Sequence, residues 1–205
     1  MESKEVPDIV VARLPLYLRA LSALQDSGRT VTSSNEIAEW LGMTSAQVRK
    51  DLSYFGEFGK QGTGYSVAGL IERVRTILHI DHEWPVVVIG AGSIGRAIAH
   101  YSGFADRGFR VCGIFDADPL KVGMLISEHE VQPLDELTER VHRHAVRVAV
   151  LAVPGSAAQS VAELLVISGV RAILNYAPVN LHVPADVRVE NIDPVLHLQH
   201  MTYYM

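Results

Sequence analysis

From Trp84 onward, short runs of Val, Ile, Leu and Ala alternate with segments of helical period, whereas the part before it is helical with a glycine-dense interruption at 56–65. Runs that are apolar at nearly every position belong to strands covered on both faces, and their alternation with helices is the signature of a parallel sheet with crossover helices. The pattern predicts strands at 86–89, 110–115, 147–152, 171–174 and 187–190, with helices near 93–106, 118–125, 133–143 and 157–168. It divides the chain into a helical part at 1–82, an α/β part at 83–192 and a terminal helix at 193–205.

In the first part, Val6-Pro7 opens a helical stretch reaching Asp26, which Pro15 kinks or splits. Ser33 with Glu36 makes a capping box for a helix that runs through Leu41 and stops at Gly42, and Thr44 with Gln47 makes a second for a helix reaching about Phe55. Two capped helices joined by a short turn form a helix-turn-helix, a pattern that plain helical bundles also show. At about 100° per residue, Val48, Leu52 and Phe55 share one face of the second helix, with Asp51 toward that side, while Ala46, Arg49, Lys50 and Ser53 gather opposite. An outward arc with cations and no carboxylate fits DNA better than an ordinary solvated face. Arg49 could make a bidentate contact with guanine, and Lys50 and Ser53 could reach bases or phosphates. The run from Gly56 to Tyr65 resists helix and predicts a hairpin wing, with Lys60 and Gln61 at its tip against phosphates or in the minor groove and Tyr54, Phe55, Phe58 and Tyr65 as anchors. Ser66 then caps a closing helix to about His79.

The chain has 205 residues, of which 48% are apolar, and a mean hydropathy of +0.17, enough for well-filled cores. No apolar stretch is long enough to span a bilayer and the first residues lack a signal-peptide core, so a cytoplasmic protein is expected. The one cysteine, Cys112, lies in an apolar strand and reads as a buried, inert thiol. Nine histidines are scattered, and no metal site is expected from them. A net charge of −5 excludes a protein that coats nucleic acid indiscriminately but allows a local basic face.

Directly after the run Val86–Ile89 comes Gly90-Ala91-Gly92-Ser93-Ile94-Gly95, and twenty-one residues past Gly95 the next strand ends in Asp116. Strand, glycine turn, helix and acidic residue in this order and spacing mark a dinucleotide site. Gly90 makes the tight turn, Gly92 lets the backbone approach a pyrophosphate and Gly95 allows close packing of helix on sheet, while the helix N-terminus stabilises the anion. Asp116 would accept the adenosine ribose hydroxyls and repel a 2′-phosphate, and no arginine follows it within Ala117–Leu120, so NAD(H) is expected over NADP(H). Two rivals remain open: an NAD-dependent dehydrogenase, for which little chain is left to form a substrate domain, and a site for coenzyme A or an adenylate, since a helix N-terminus accepts any pyrophosphate.

Taken together, Ser33-Ser34, the block Ala46–Gly56 (AQVRKDLSYFG), Gly62-x-Gly64-Tyr65, the glycine loop with Asp116, Ala152-Val153-Pro154, Asn175-Tyr176-Ala177-Pro178 and Val189–Asp193 resemble the Rex family of bacterial redox-sensing transcriptional repressors over essentially the whole chain. The resemblance implies a winged helix followed by a Rossmann domain, in a homodimer that reads a palindromic operator. In that family NAD⁺ permits DNA binding, and NADH closes the dimer into a form that releases it. By this resemblance the cofactor would be held by Gly90, Ala91, Gly92, Ser93, Ile94, Gly95, Asp116, Val153, Pro154 and Asn175. DNA would be met by Ser33, Ser34, Thr44, Ala46, Gln47, Arg49, Lys50, Ser53, Tyr54, Lys60 and Gly62. The family also implies a C-terminal helix, here from Asp193, swapped onto the partner subunit, with Arg19 facing the partner's Asp193 in one state and Tyr101 engaging it in the other. Pro194 departs from the bulky apolar residue that the family often carries there.

Overall fold

A computed structural model describes residues 6–56 and 64–205. The chain splits into two compact units, Met1–His82 and Glu83–Met205.

The first unit is built from α1 (Asp8–Val11), α2 (Leu14–Asp26), β1 (Val31–Thr32), α3 (Ser34–Leu41), α4 (Ser45–Ser53), β2 (Tyr65–Ser66) and α5 (Val67–Ile77). Pro15 splits the first helical stretch, because its ring fits the opening turn of α2 and no later position. Ser33, Thr44 and Ser66 each accept a hydrogen bond from the amide three residues on, at 3.2 Å, and Gly42 ends α3 in the left-handed region. The Ser33 box closes on one side only, since Glu36 turns its carboxylate to the Thr32 hydroxyl at 2.8 Å and to Arg29 at 3.0 Å. Leu14, Tyr17 and Leu21 of α2 pack with Ile37, Val48, Leu52, Leu70 and Val74 in one core. The expected wing lies largely at 57–63, outside the described residues; directly after them, β2 pairs antiparallel with β1, Val31 opposite Ser66 and Thr32 opposite Tyr65.

The second unit contains β3 (Trp84–Ile89), α6 (Ser93–Ala99), β4 (Phe109–Asp116), β5 (Leu125–Ile126), β6 (His129–Pro133), α7 (Leu137–Arg143), β7 (Val148–Leu151), α8 (Gly155–Ser168), β8 (Ala172–Asn175), β9 (Arg188–Asn191) and α9 (Pro194–Thr202). Its sheet runs β5-β6-β4-β3-β7-β8-β9, parallel throughout except for the β5/β6 edge pair. Alternation along β3 feeds two cores: Val87 and Ile89 pack with α7 and α8, while Val86 and Val88 pack on the other face with Ile98 of α6. The strand order reverses between β3 and β7, so a crevice opens beyond their C-terminal ends, which is where ligands of such sheets bind. Cys112 sits in this buried sheet and burial pushes its thiol pKa up, as expected of an inert cysteine.

Two expectations are corrected, and two strands are added. The segment 118–125 is a series of turns leading into β5, not a helix: the Asp118 carboxylate accepts from its own downstream amide, Leu120 N, at 3.0 Å, and Gly123 takes φ +83°. The edge strands β5 and β6 had no counterpart in the apolar pattern. The helix expected at 93–106 breaks after Ala99 into a 3-10 turn at Ser102–Arg107 that closes on Gly108 in the left-handed region.

Candidate functional site

The crevice beyond β3 and β7 holds a cavity of about 660 Å³, large enough for a dinucleotide-sized ligand. Gly90, Gly92, Ser93, Ile94, Asp116, Val153 and Pro154 line it, together with Lys121, Leu134, Ala157, Tyr176 and Pro178. Two of the three glycines are fixed by their own surroundings. Gly90 has φ +103° and a Cβ there would strike the Ala152 carbonyl; a Cβ on Gly95 would strike the carbonyl oxygen of Gly90. Gly92 is different: nothing lies within 4 Å of where its Cβ would be, so the space over it is open for a ligand and not filled by the protein. It stands as N-cap of α6, whose first turn has no side-chain cap.

Asp116 is buried at the end of β4 and its carboxylate is well supplied with donors. Oδ2 accepts from Ala91 N at 2.7 Å and from Lys121 Nζ at 3.0 Å, and Oδ1 accepts from Asp118 N at 2.8 Å. Burial alone would raise its pKa, but the amides of Asp118 and Ala91 and the Lys121 ammonium outweigh that and hold it below the ordinary aspartate value. It is therefore a carboxylate at neutral pH, able to accept ribose hydroxyls. No arginine stands within Ala117–Leu120, as read from the sequence, but a cation that the reading did not weigh lies just beyond: the turn at 118–121, where a helix was expected, carries the Lys121 side chain back to Asp116.

Three of the ten expected cofactor residues do not line the cavity. Ala91 is buried with its amide spent on Asp116, and Gly95 lies beneath the α6 turn. Asn175, fully buried, donates to Val179 O at 2.9 Å and Asn191 Oδ1 at 2.8 Å and accepts from Ala177 N at 3.0 Å. Its carboxamide braces the loop that presents Tyr176 and Pro178, so its part in the site is to hold that wall. The sequence signal for Tyr176 and Pro178 was their place in the quoted Asn175–Pro178 run.

In the first unit, α4 buries Val48, Asp51 and Leu52 and exposes Ala46, Gln47, Arg49, Lys50 and Ser53, with Thr44 exposed at its cap and Tyr54 half-buried at its end. Arg49 Nη1 donates to Ser34 Oγ at 3.0 Å, tying α4 to the first residue of α3 beside exposed Ser33. Lys60 and Gly62 lie outside the described residues. Of the switch candidates, Arg19 is exposed on α2, the exposed Tyr101 hydroxyl accepts from Arg107 at 2.9 Å, and Asp193 caps α9 by accepting from Val195 N at 2.9 Å.

Family models match both ends of this arrangement: "Putative DNA-binding protein N-terminus" at residues 5–53 and "CoA binding domain" at residues 81–179. The Redox-sensing transcriptional repressor Rex of Roseiflexus sp. (strain RS-1) is 48% identical over 202 residues, which span 98% of this chain and 92% of that protein. The chain belongs to the Rex family of redox-sensing transcriptional repressors. The Rex repressor of Chloroflexus aurantiacus (strain ATCC 29366 / DSM 635 / J-10-fl) is 47% identical over 206 residues, 100% of this chain and 97% of the relative. Among solved structures, the Rex-family repressor RSP in complex with beta-NAD⁺ and operator DNA matches with a TM-score of 0.93 at 37% identity, covering 98% of this chain and 93% of that one. RSP in complex with beta-NADH matches with a TM-score of 0.87 at 36% identity, covering 97% and 93%.

Proposed function

We propose that this Rex-family chain is a homodimeric repressor that binds palindromic operator DNA when NADH is low and is released by NADH. The observation that carries the reading is the cavity lined by Gly92, the uncapped first turn of α6 and an ionised Asp116. NADH and NAD⁺ are the effectors, held at Gly90, Gly92, Ser93, Ile94, Asp116, Val153 and Pro154, with Ala91, Gly95 and Asn175 shaping that site. The winged-helix part, 1–82, meets DNA through Ser33, Ser34, Thr44, Ala46, Gln47, Arg49, Lys50, Ser53, Tyr54 and, in the wing, Lys60 and Gly62. Residues 83–192 bind the dinucleotide.

The helix α9 supports the dimer. Every residue from Pro194 to Met205 is exposed, with Val195, Leu196, Leu198 and Met201 each more than half exposed. A helix this short is marginal alone and needs a docking partner, which a second subunit supplies by exchange. Arg19, Tyr101 and Asp193 are then the groups whose pairing distinguishes the two states. A ligand moves such an equilibrium only through its differential affinity, typically about 1–3 kcal/mol, or roughly 5- to 150-fold in the reciprocal ligand. The chain acts in the cytoplasm, where operator and NAD(H) meet, as a regulator and not an enzyme. In support, the Asp and Lys side chains lining the cavity, Asp116, Asp118 and Lys121, are engaged with one another in ion pairs.

Fluorescence anisotropy of labelled palindromic operator at fixed salt tests the whole reading. Added NADH should release the DNA and excess NAD⁺ should oppose that release; DNA affinity that stays constant while NADH saturates the protein would rule the switch out. The matching "CoA binding domain" model makes coenzyme A the ligand to run beside NADH. On the DNA side, Arg49→Ala should weaken specific binding by about 1–3 kcal/mol and relax the preference at one base position. Unchanged preference there would make Arg49 a phosphate contact or a bystander.

A further inference from the structure

The dinucleotide reading leaves one cation in the cavity unused. Lys121 Nζ lies 3.0 Å from Asp116 Oδ2 and 3.9 Å from Asp118 Oδ2, and its side chain is 34% exposed against 10% for Asp116. All three side chains line the cavity. An ionised carboxylate offers about four lone-pair positions. On Asp116, Ala91 N and Lys121 take two on Oδ2, and Asp118 N takes one on Oδ1. The remaining position is on Oδ1, yet a ribose presents two adjacent hydroxyls. With Lys121 in place, one hydroxyl can donate to Oδ1 and the other is left to accept from the ammonium.

The same ammonium alters what a 2′-phosphate would meet. Asp116 alone would repel it by like charge, but a carboxylate with a lysine 3.0 Å away presents a nearly neutral pair, one half of which is a phosphate donor on a flexible stem. We propose that Lys121 is a specificity-determining residue of this site: it contacts the adenosine ribose beside Asp116 and sets how strongly a 2′-phosphate is refused. This rests on the dinucleotide reading above. Discrimination against NADP(H) is then a property of the pair, with Asp116 enforcing it and Lys121 softening it.

The test is calorimetric titration of NADH and NADPH into the full chain, read as the ratio of their dissociation constants. Lys121→Met should weaken both ligands but raise the preference for NADH about tenfold, the excess of an ammonium–phosphate contact over the ammonium–hydroxyl contact that NADH loses, and Lys121→Arg should hold it near the wild-type ratio. Asp116→Asn should lower the preference about tenfold or more by freeing Lys121 for the 2′-phosphate, and adding Lys121→Met to it should reverse that gain. A ratio unmoved by Lys121→Met, equal shifts in the Met and Arg variants, or an NADPH gain that survives in the double variant would each overturn the assignment. Wild-type protein that takes up neither dinucleotide would overturn the underlying reading, and the Lys121 role with it. Wild-type binding of NADH with a ratio insensitive to Lys121 removes only the latter.

Discussion

Arg13→Ala is expected to destabilise the first unit by about 3–5 kcal/mol, as removal of one partner of a buried ion pair does. Asp51 stands on α4, the helix that carries Arg49 and Lys50, and is 2% exposed. Arg13 meets it with both branches of its guanidinium, Nε to Oδ2 at 2.6 Å and Nη2 to Oδ1 at 2.8 Å, and Tyr17 Oη donates to Oδ2 at 2.6 Å. The bond to Asp51 holds the Arg13 pKa above its ordinary value, and burial followed by Asp51 drives the Tyr17 phenol far above its own. Both donors therefore stay protonated at any working pH. Without Arg13, a carboxylate inside the core keeps one neutral donor. Asp51→Ala should cost less, about 1–3 kcal/mol, because Arg13 is 17% exposed and can turn to water. The double change Arg13→Met, Asp51→Leu should recover much of the loss, since apolar packing often replaces a buried pair without penalty. Urea unfolding followed by Trp40 in a Trp84→Phe background isolates this unit, each tryptophan belonging to one unit. A cost below about 1 kcal/mol for Arg13→Ala would class the pair with exposed ones and sink the argument.

What the sequence disclosed, and what it concealed, follows from how local each cause was. Caps at Ser33, Thr44, Ser66 and Asp193 are decided by a side chain and an amide two or three residues away, so their residue types announce them. The four central strands β4, β3, β7 and β8 are announced by apolar runs because both faces are covered, whereas the edge strand β9, Arg188–Asn191, shows only through Val187 and Val189. Asp51 fell toward the apolar side of its helix on spacing alone, but its partners came from thirty-eight and thirty-four residues away and left no local trace. β5 and β6 were missed because two residues, and then His129-Glu130-Val131-Gln132-Pro133, at the sheet edge carry no clean alternation. Lys121 was missed for a related reason. Pro119 and the residues after it suit a first helical turn, and the outcome turned on the Asp118 side chain competing for its own backbone. At Asn175 the family resemblance implied a ligand contact, while burial commits its polar side-chain atoms to the chain.

Gly92→Ala and Gly95→Ala should separate binding from folding at the glycine loop. At Gly92 the backbone, φ −81° and ψ −169°, suits any residue, and a Cβ meets nothing within 4 Å. The free protein should keep its stability to within about 0.5 kcal/mol. The new methyl nevertheless stands in the open space that a pyrophosphate would need, so NADH affinity should fall on the order of 100-fold, the equivalent of one or two charged hydrogen bonds lost to displacement. At Gly95 the methyl would lie on the Gly90 carbonyl oxygen, with Val88 Cγ1 also within 3.6 Å of it. Helix α6 must lift from β3 to admit it, which costs about 1–3 kcal/mol of packing and also withdraws the first turn from the ligand. Both variants should therefore bind NADH poorly, but only Gly95→Ala should unfold more readily. Because these changes leave α4 untouched, both should still bind operator DNA and should hold it at NADH concentrations that release the wild type. Thermal unfolding and calorimetric titration read the two quantities independently. A Gly92→Ala protein with wild-type NADH affinity would mean that no phosphate passes over that glycine, and the cavity beyond β3 and β7 would then have to accept its ligand in another orientation.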